Sequence, residues 1–183
     1  MEKPDKIECS EIYLRIVRDS DARFLTKWKN DPYLKRNSIG IDTLITEKQQ
    51  FSDIVSSLES DCDWYYLIVK KAEDKPIGYI RINIIDDHGK FAWLRFGMGE
   101  ERGKGYCKAG LQCFIGKLFE LGFHRIECEV YDFNERSWNM LEKIGFRQEG
   151  LKRESHFDAD EYTNVRCYGL LKNDFIPAVL SDK

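Results

Sequence analysis

The sequence predicts a mixed α/β fold, in which an antiparallel meander of strands leads into a strand–helix–strand crossover within one sheet flanked by helices. The meander is predicted by three strand-like runs at 64–71, 76–85 and 90–96. Short polar segments rich in turn residues join these runs, as is typical of antiparallel neighbours. The crossover is predicted by a helical pattern that separates the third run from another strand-like run at 124–130.

Length and composition indicate a single globular domain over 1–183. The chain is long enough for one hydrophobic core, and 42% hydrophobic with 13% aromatic residues is ordinary for a globular protein. A net charge of −3 argues against nucleic acid as a partner, and no apolar run reaches the length of a membrane span. We expect a cytoplasmic protein with reduced thiols and no metal site, because no signal peptide and no metal-ligand spacing accompany the cysteines at 9, 62, 107, 113, 128 and 167.

The first elements of the chain are predicted to be a strand and a helix. Residues 12–17 alternate loosely between apolar and polar side chains, which indicates a short strand. Asp19 or Ser20 can then cap a helix that runs to about Asn30, and we expect Pro32 to close it.

Two further helices are marked by residues at their ends. Thr46 and Gln49 have the spacing of a capping box, which predicts a helix over about 47–59. Asn134 is a good N-cap, since the residue before it and the fourth residue after it are both aromatic. Gly145 suits a left-handed conformation and predicts the end of that helix.

The segment 102–107, Arg-Gly-Lys-Gly-Tyr-Cys, places two glycines and two cations between a strand-like run and an amphipathic helix. The first N–H groups of a helix have no intrahelical partner, and the helix dipole adds positive charge, so a pyrophosphate can bind there. Glycines let the backbone approach the ligand, while Arg102, Lys104 and Lys108 supply charge at the rim. The alternative is a plain turn and helix cap.

A dinucleotide-binding fold is a poor alternative. The glycines at 97, 99 and 103 form a GxGxxxG pattern, but that motif should open a βαβ unit in a parallel sheet. Here hairpins precede it, and the sequence contains no GxxxxGK[ST] loop for a nucleoside triphosphate.

A second block downstream makes the pattern specific. Arg102, Gly105 and Cys107 fill the Arg/Gln-x-x-Gly-x-Gly/Ala signature of the GNAT (GCN5-related) N-acetyltransferase superfamily, with cysteine at a place where the family usually has glycine or alanine. Residues 134–146 resemble the second acetyl-CoA-contacting segment of that family in order and spacing. The segment 161–172 resembles the RimJ/RimL-like branch, which contains ribosomal-protein N-terminal acetyltransferases and small-molecule relatives. The resemblance covers about 12–175.

The resemblance implies a GNAT fold and acetyl-CoA as the cosubstrate. In the family, the strand before the phosphate loop splays from the next strand, and its backbone pairs with the pantetheine arm; we expect 96–98 to make this contact. The cofactor-binding residues implied are Phe96, Gly97, Met98, Arg102, Gly103, Lys104, Gly105, Tyr106, Cys107, Lys108, Asn134 and Ser137.

Acetyl transfer to an amine requires a group that accepts the amine proton and an acid that helps the departing thiolate. Leu141 occupies the place where many family members have an acidic Tyr, so the resemblance to the ribosomal-protein branch implies Ser137 as the acid. Aligning the strand near 150 with that branch brings His156 to the place of the base, and histidine titrates near neutral pH. Glu154 and a water chain are the competing hypotheses.

The acceptor implied by the family is a primary amine. Trp28, Asn30 and Tyr33 are the predicted acceptor-contacting residues, because the cluster Trp-x-Asn-Asp-Pro at 28–32 also occurs in relatives acting on amino sugars and aminoglycosides. The alternative is that Trp28 fills the core and that the Asp-Pro pair forms a turn. A protein N-terminus, an amino sugar or antibiotic, and a polyamine all stay open as acceptors.

The predicted function is therefore an acetyl-CoA-dependent N-acetyltransferase that transfers its acetyl group directly to the amine. A non-catalytic acyl-CoA-binding sensor is the alternative, because binding requires the loop but neither acid nor base. The sequence leaves a homodimer open.

Overall fold

The computed structural model describes residues 2–38, 43–86, 88, 90–158 and 160–178. Within these ranges the strands are β1 Lys6–Glu8, β2 Ile12–Ile16, β3 Asp63–Lys70, β4 Lys75–Asp86, β5 Phe91–Met98, β6 Arg125–Tyr131, β7 Arg147–Asp158 and β8 Glu161–Leu171. The α-helices are α1 Ala22–Lys29, α2 Pro32–Asn37, α3 Glu47–Glu59, α4 Tyr106–Glu120 and α5 Glu135–Glu142.

The described strands form one sheet in the order β1-β2-β3-β4-β5-β6-β8-β7. Each neighbouring pair is antiparallel except β5 and β6, which run parallel because α4 carries the chain across between them. The predicted mixed α/β fold, with a meander followed by a strand–helix–strand crossover, is confirmed.

The parallel pairing of β5 with β6 is short. It joins Phe91 to Arg125, Ala92 to Ile126 and Trp93 to Glu127, and it ends there although both strands continue. Beyond Trp93, β5 is paired with β4 alone, as far as Met98. The backbone of the last residues of β5 therefore faces a gap between the two strands.

Two hydrophobic clusters cover the two faces of the sheet. Strand β3 divides between them with the period of two that a strand requires. Trp64, Tyr66 and Ile68 pack in the cluster under α4 and α5, while Leu67 and Val69 pack in the cluster under α1 and α3. Because β3 is buried on both faces, its sequence is an almost unbroken apolar run.

The predicted helix ends are confirmed in two places. The hydroxyl of Thr46 accepts the N–H of Gln49, and the Gln49 side chain in turn accepts the N–H of Thr46, so α3 begins with a capping box. After α5, Gly145 adopts a positive φ of 109°. Its N–H donates to Glu142 O, and the N–H of Phe146 donates to Leu141 O, so the helix ends in a Schellman motif.

The predicted helix end at about Asn30 is confirmed, since α1 ends at Lys29, but Pro32 also begins another helix. Pro32 is the first residue of α2, where its missing N–H costs nothing. Asp31 is the N-cap, and its carboxylate accepts the N–H of Leu34 at 3.1 Å. The preceding helix also begins later than predicted, at Ala22 after a 3₁₀ turn, because the carboxylate of Asp21 accepts from the backbone N–H of Arg18 at 2.7 Å.

Gly99, just after β5, supports the buried indole of Trp28. A Cβ at this position would lie 2.1 Å from a ring carbon of Trp28, whose exposed fraction is 1%. We expect Gly99→Ala to lower the free energy of unfolding by about 3 kcal/mol, since neither the indole nor the backbone has room to move. Urea denaturation measures this.

The matched control is Gly116→Ala in α4, where a Cβ would make ordinary contacts with Phe175 at 3.6 Å. Alanine should be neutral or stabilising there by about 0.5 kcal/mol. Equal urea midpoints for the two variants would contradict the proposed packing role of Gly99.

Candidate active site

The loop before α4 has an open backbone. Gly103 and Gly105 adopt positive φ values of 89° and 87°, and Gly105 is the N-cap of α4. A Cβ built on Gly105 would have no atom of the described residues within 4 Å, so none of them covers this side of the loop. The first N–H groups of α4 point out of the helix here, as an anion site requires.

A cavity of about 650 Å³ extends from this loop along the gap beside β5, between α2 and α5; we call it the cofactor cavity. Its walls bring together all but one of the predicted cofactor-binding residues: Phe96, Gly97, Met98, Arg102, Gly103, Gly105, Tyr106, Cys107, Lys108, Asn134 and Ser137. The exception is Lys104, whose ammonium group pairs with Glu101 at 2.6 Å.

The guanidinium of Arg102 is engaged by the protein itself. It donates to Asp31 Oδ1 at 2.7 Å and to the carbonyl of Met98 at 2.7 Å. Its Cζ atom also lies 4.6 Å from the centroid of the Tyr33 ring, over the face of that ring. Arg102 therefore fastens α2 to the end of β5 at one side of the cofactor cavity.

Sequence reasoning missed two cations of this cavity, Arg136 and Lys143. Neither has a carboxylate partner within the described part of the chain, and the same holds for the predicted Lys108. A Cβ on Gly103 would lie 3.1 Å from Nη2 of Arg136, which places this guanidinium at the loop before α4. The signal was present, since Arg136 belongs to the 134–137 block that the sequence singled out.

A second cavity of about 630 Å³ lies on the side of the sheet covered by α1 and α3; we call it the acceptor cavity. It meets the cofactor cavity at a shared wall formed by Asn37, Ser38, Phe96, Asn134 and Ser137. The side chain of Asn134 braces this wall, since its Oδ1 accepts the N–H of Ser137 at 3.3 Å and its Nδ2 donates to Asn37 O at 3.3 Å.

The floor of the acceptor cavity is charged. Arg81 donates to Asp63 at 2.8 Å and to Asp53 at 2.8 Å. Burial opposes its charge, but these hydrogen bonds outweigh burial and hold the pKa of Arg81 above its ordinary value. Burial lowers the pKa of Lys29 to about 8, although Asp53 lies 3.5 Å away and partly offsets the effect. Burial also raises the pKa of Tyr79 to about 12.

The residues predicted to contact the acceptor do not line this cavity. Trp28 is buried in the smaller hydrophobic cluster and lines neither cavity, as the core-filling alternative held. Asn30 also lines neither cavity, because its amide is hydrogen-bonded to both backbone groups of Ile45. Tyr33 lines the cofactor cavity rather than the acceptor cavity.

The two predicted catalytic residues are placed differently. Ser137 lies on the shared wall of the two cavities. His156 lines neither cavity: its ring packs on Tyr131 with centroids 4.3 Å apart, and its Nδ1 lies 3.2 Å from the Tyr131 hydroxyl. The competing Glu154 is exposed on β7 and is also outside both linings.

Glu129 is a carboxylate of the acceptor cavity that sequence reasoning passed over. It lies on β6, shortly before the turn that leads to Asn134 and Ser137, and its side chain is 15% exposed. Lys152 pairs with Oε1, while Oε2 has no hydrogen-bond partner among the described residues. The alternation of Glu127 and Glu129 with buried residues on β6 was the available signal.

Comparison with known families decides which chemistry this arrangement serves. The profile of the acetyltransferase (GNAT) domain matches residues 11–147. The chain belongs to the GNAT acetyltransferase family. Acetyl-CoA-dependent N-acetyl transfer, the activity that the sequence predicted, is thereby confirmed.

Two bacterial proteins named as N-acetyltransferases are similar to this chain in sequence, which is consistent with the GNAT assignment. The chain is 28% identical over 167 residues to the uncharacterized N-acetyltransferase p20 of Bacillus licheniformis, covering 88% of this chain and 93% of the relative. It is 26% identical over 179 residues to the probable N-acetyltransferase YjcK of Bacillus subtilis, covering 93% of this chain and 94% of the relative.

Solved GNAT structures share the fold. Spermidine N-acetyltransferase from Vibrio cholerae, in complex with CoA and spermine, superposes with a TM-score of 0.82 at 18% identity, covering 90% of this chain and 97% of that one. The ribosomal-protein N-acetyltransferase RimL, in complex with coenzyme A, superposes with a TM-score of 0.81 at 18% identity, covering 91% of this chain and 97% of that one. These nearly equal values do not distinguish the two kinds of acceptor.

Two other features are absent from the described ranges. No group of three or more His, Cys, Asp or Glu side chains there could hold a metal ion. None of the helices described has the length and apolar character needed to cross a membrane.

Arg136 should contribute to acetyl-CoA affinity. We expect Arg136→Gln to weaken acetyl-CoA binding by about 3- to 10-fold at low salt, and less at high salt because ions screen an exposed charge. Titration calorimetry at two salt concentrations measures this. Arg153→Gln, an exposed arginine of β7, is the control, and equal affinities for the two variants would contradict the assignment.

Lys29 should make stability depend on pH. Its folded pKa of about 8 lies below the ordinary 10.5, so the unfolded chain binds the proton more tightly and the free energy of unfolding rises between these pH values. Relative to Lys29→Gln, the wild type should gain up to about 3 kcal/mol between pH 7 and 10.5 in denaturant titrations. Lys117→Gln, at the surface of α4, should follow the wild type; a pH-independent difference for Lys29→Gln would refute the burial effect.

Proposed function

We propose that this enzyme transfers the acetyl group directly from acetyl-CoA, held in the gap beside β5, to a primary amine in the acceptor cavity. The observation that carries the proposal is the shared wall, where Asn134 and Ser137 face both cavities. Two reactants that meet at this wall need no covalent enzyme intermediate, since positioning supplies much of the rate.

The residues of the cofactor cavity fit acetyl-CoA. The open backbone of Gly103 and Gly105 and the N-terminus of α4 suit its pyrophosphate. The charges of Arg136 and Lys143, which have no carboxylate partner among the described residues, suit its phosphates. The edge of β5 beyond Trp93 offers N–H and C=O groups to its amide-containing arm, as an unpaired strand does. When bound, acetyl-CoA supplies the activated acetyl group.

Ser137 is proposed as the acid. It lies in the first turn of α5, where the cap by Asn134 fixes its backbone and directs this turn at the shared wall. From there the hydroxyl can donate a proton to the departing thiolate. This assignment agrees with the role that the resemblance implied.

Glu129 is proposed as the group that receives the amine proton, directly or through water. Its Oε1 is held by Lys152, which orients the carboxylate and leaves Oε2 for the amine. His156, the residue predicted from the sequence, has one ring nitrogen at the Tyr131 hydroxyl and does not line the acceptor cavity. Glu129 is therefore the better-placed group.

Two further proposals concern the setting of the enzyme. The described cysteines are free thiols, which supports the predicted cytoplasmic location.

Strand β7 is an outer strand of the sheet and carries the exposed Phe157. The ring centroids of Phe157 and Tyr162 of β8 lie 4.9 Å apart. This edge supports the homodimer that the sequence left open.

The acid and base assignments are tested by three variants in a CoA-thiol release assay. Ser137→Ala and Glu129→Gln should each lower kcat by about 100-fold, the usual scale of acid–base catalysis, and Glu129→Gln, which lies outside the cofactor cavity, should leave acetyl-CoA affinity unchanged by calorimetry. His156→Gln should stay within about threefold of the wild type. Loss of activity in His156→Gln with Glu129→Gln active would instead support the histidine.

The same assay separates enzyme from sensor. The wild type is offered polyamines, aminoglycosides, amino sugars and peptides with free N-termini. Binding of acetyl-CoA without turnover of any amine would favour the non-catalytic sensor over the proposed transfer.

A further inference from the structure

The acceptor cavity contains an arginine whose charge is not balanced by any carboxylate of the described residues. Arg95 on β5 lies directly across from Arg81 on β4, and like charges in such a pair are unfavourable. Arg81 is compensated by Asp53 and Asp63. The guanidinium of Arg95 instead donates to Asn83 Oδ1, a neutral amide oxygen, and it has no carboxylate partner among the residues described.

The carboxylates lining the same cavity are already paired. Asp53 lies between Arg81 at 2.8 Å and Lys29 at 3.5 Å, and Glu129 is paired with Lys152. Three cationic side chains and two carboxylates therefore line the described walls, which leaves one positive charge in excess, on Arg95. Within the part of the wall that the structure describes, a polyamine would find no uncompensated carboxylate.

Two buried polar atoms of the cavity also lack partners within the described chain. They are the hydroxyl of Tyr65 and Oε1 of Gln50, and both residues are 1% exposed. Both atoms are buried behind the cavity wall, so they do not themselves contact a ligand. The polar character of the cavity comes from its charged lining: Lys29, Asp53, Arg81, Arg95 and Glu129.

We propose that the acceptor is a small amine that also carries a carboxylate or phosphate group, and that Arg95 binds this anion. The inference rests on the proposed transfer at the shared wall. A guanidinium can hold either anion through paired hydrogen bonds, which fix orientation as well as charge.

The position of Arg95 explains how such a contact would orient the amine. The next residue, Phe96, belongs to the shared wall, so the anion site and the transfer point are neighbours on β5. An acceptor anchored at Arg95 directs its other end along the cavity toward Ser137 and Glu129. Arg95 is therefore a specificity residue and takes no part in proton transfer.

The test uses pairs of amines that differ only in the anion: phenylalanine with phenethylamine, 4-aminobutanoate with 4-aminobutanamide, and glucosamine 6-phosphate with glucosamine. Spermidine and a peptide amide without carboxylates complete the panel. In the wild type, kcat/KM should favour an anionic member over its partner by about 10- to 100-fold. The amino acid and sugar phosphate pairs distinguish carboxylate from phosphate.

Three variants assign this preference to the arginine. Arg95→Gln should reduce the ratio to within about threefold, while the KM for acetyl-CoA and the kcat/KM for the neutral partner stay unchanged. Arg95→Lys should restore part of the preference, and Arg95→Glu should reverse it toward spermidine. Arg153→Gln, exposed on β7, is the matched control and should behave as the wild type.

The outcomes separate this inference from the function on which it rests. A preference for spermidine, the peptide amide or the neutral partners in the wild type overturns the inference and leaves the transferase intact. An anion preference that survives in Arg95→Gln overturns the role of Arg95. Turnover of no amine at all contradicts the proposed function, and the inference falls with it.

Discussion

The short parallel pairing of β5 with β6 is the constraint on which the rest of the structure depends. Parallel strands need a crossover, and α4 provides it, so the N-terminus of a long helix lies beside the end of β5. Because the pairing stops at Trp93, the end of β5 keeps unpaired backbone groups inside the protein. Unpaired backbone in such a place must meet water or a ligand. The gap, the loop before α4 and the two cavities all follow from the point at which the pairing of β5 with β6 stops.

The sequence predicted much of the fold because its signals are local. A capping box, a glycine that closes a helix and alternating apolar residues each act within a few positions, and α3 and the end of α5 lie where expected. Pro32 shows the limit of such signals. Proline is compatible both with the end of a helix and with the first turn of another, and the carboxylate of Asp31, which also contacts Arg102, selects the second.

The two halves of the site were not equally predictable. The cofactor cavity is built largely from contiguous segments, so motifs could identify Gly103, Gly105 and Asn134. The acceptor cavity is assembled across strands, and a residue such as Glu129 has no neighbours in sequence that mark it. Charge balance is equally non-local: Arg81 and Arg95 look alike in the sequence, yet among the described residues only the first meets carboxylates from distant segments.

Helix α2 belongs to the walls of both cavities, with Tyr33 on the cofactor side and Asn37 on the shared wall. It is fastened to the end of β5 through Arg102. If binding of one ligand shifts α2 and thereby changes the affinity for the other, the second ligand changes the affinity for the first by the same factor, because linkage is reciprocal. The affinity measured for one substrate alone then differs from its affinity in the ternary complex. Selection for a new amine would alter cofactor affinity as a side effect, which restricts the order in which mutations in α2 can accumulate.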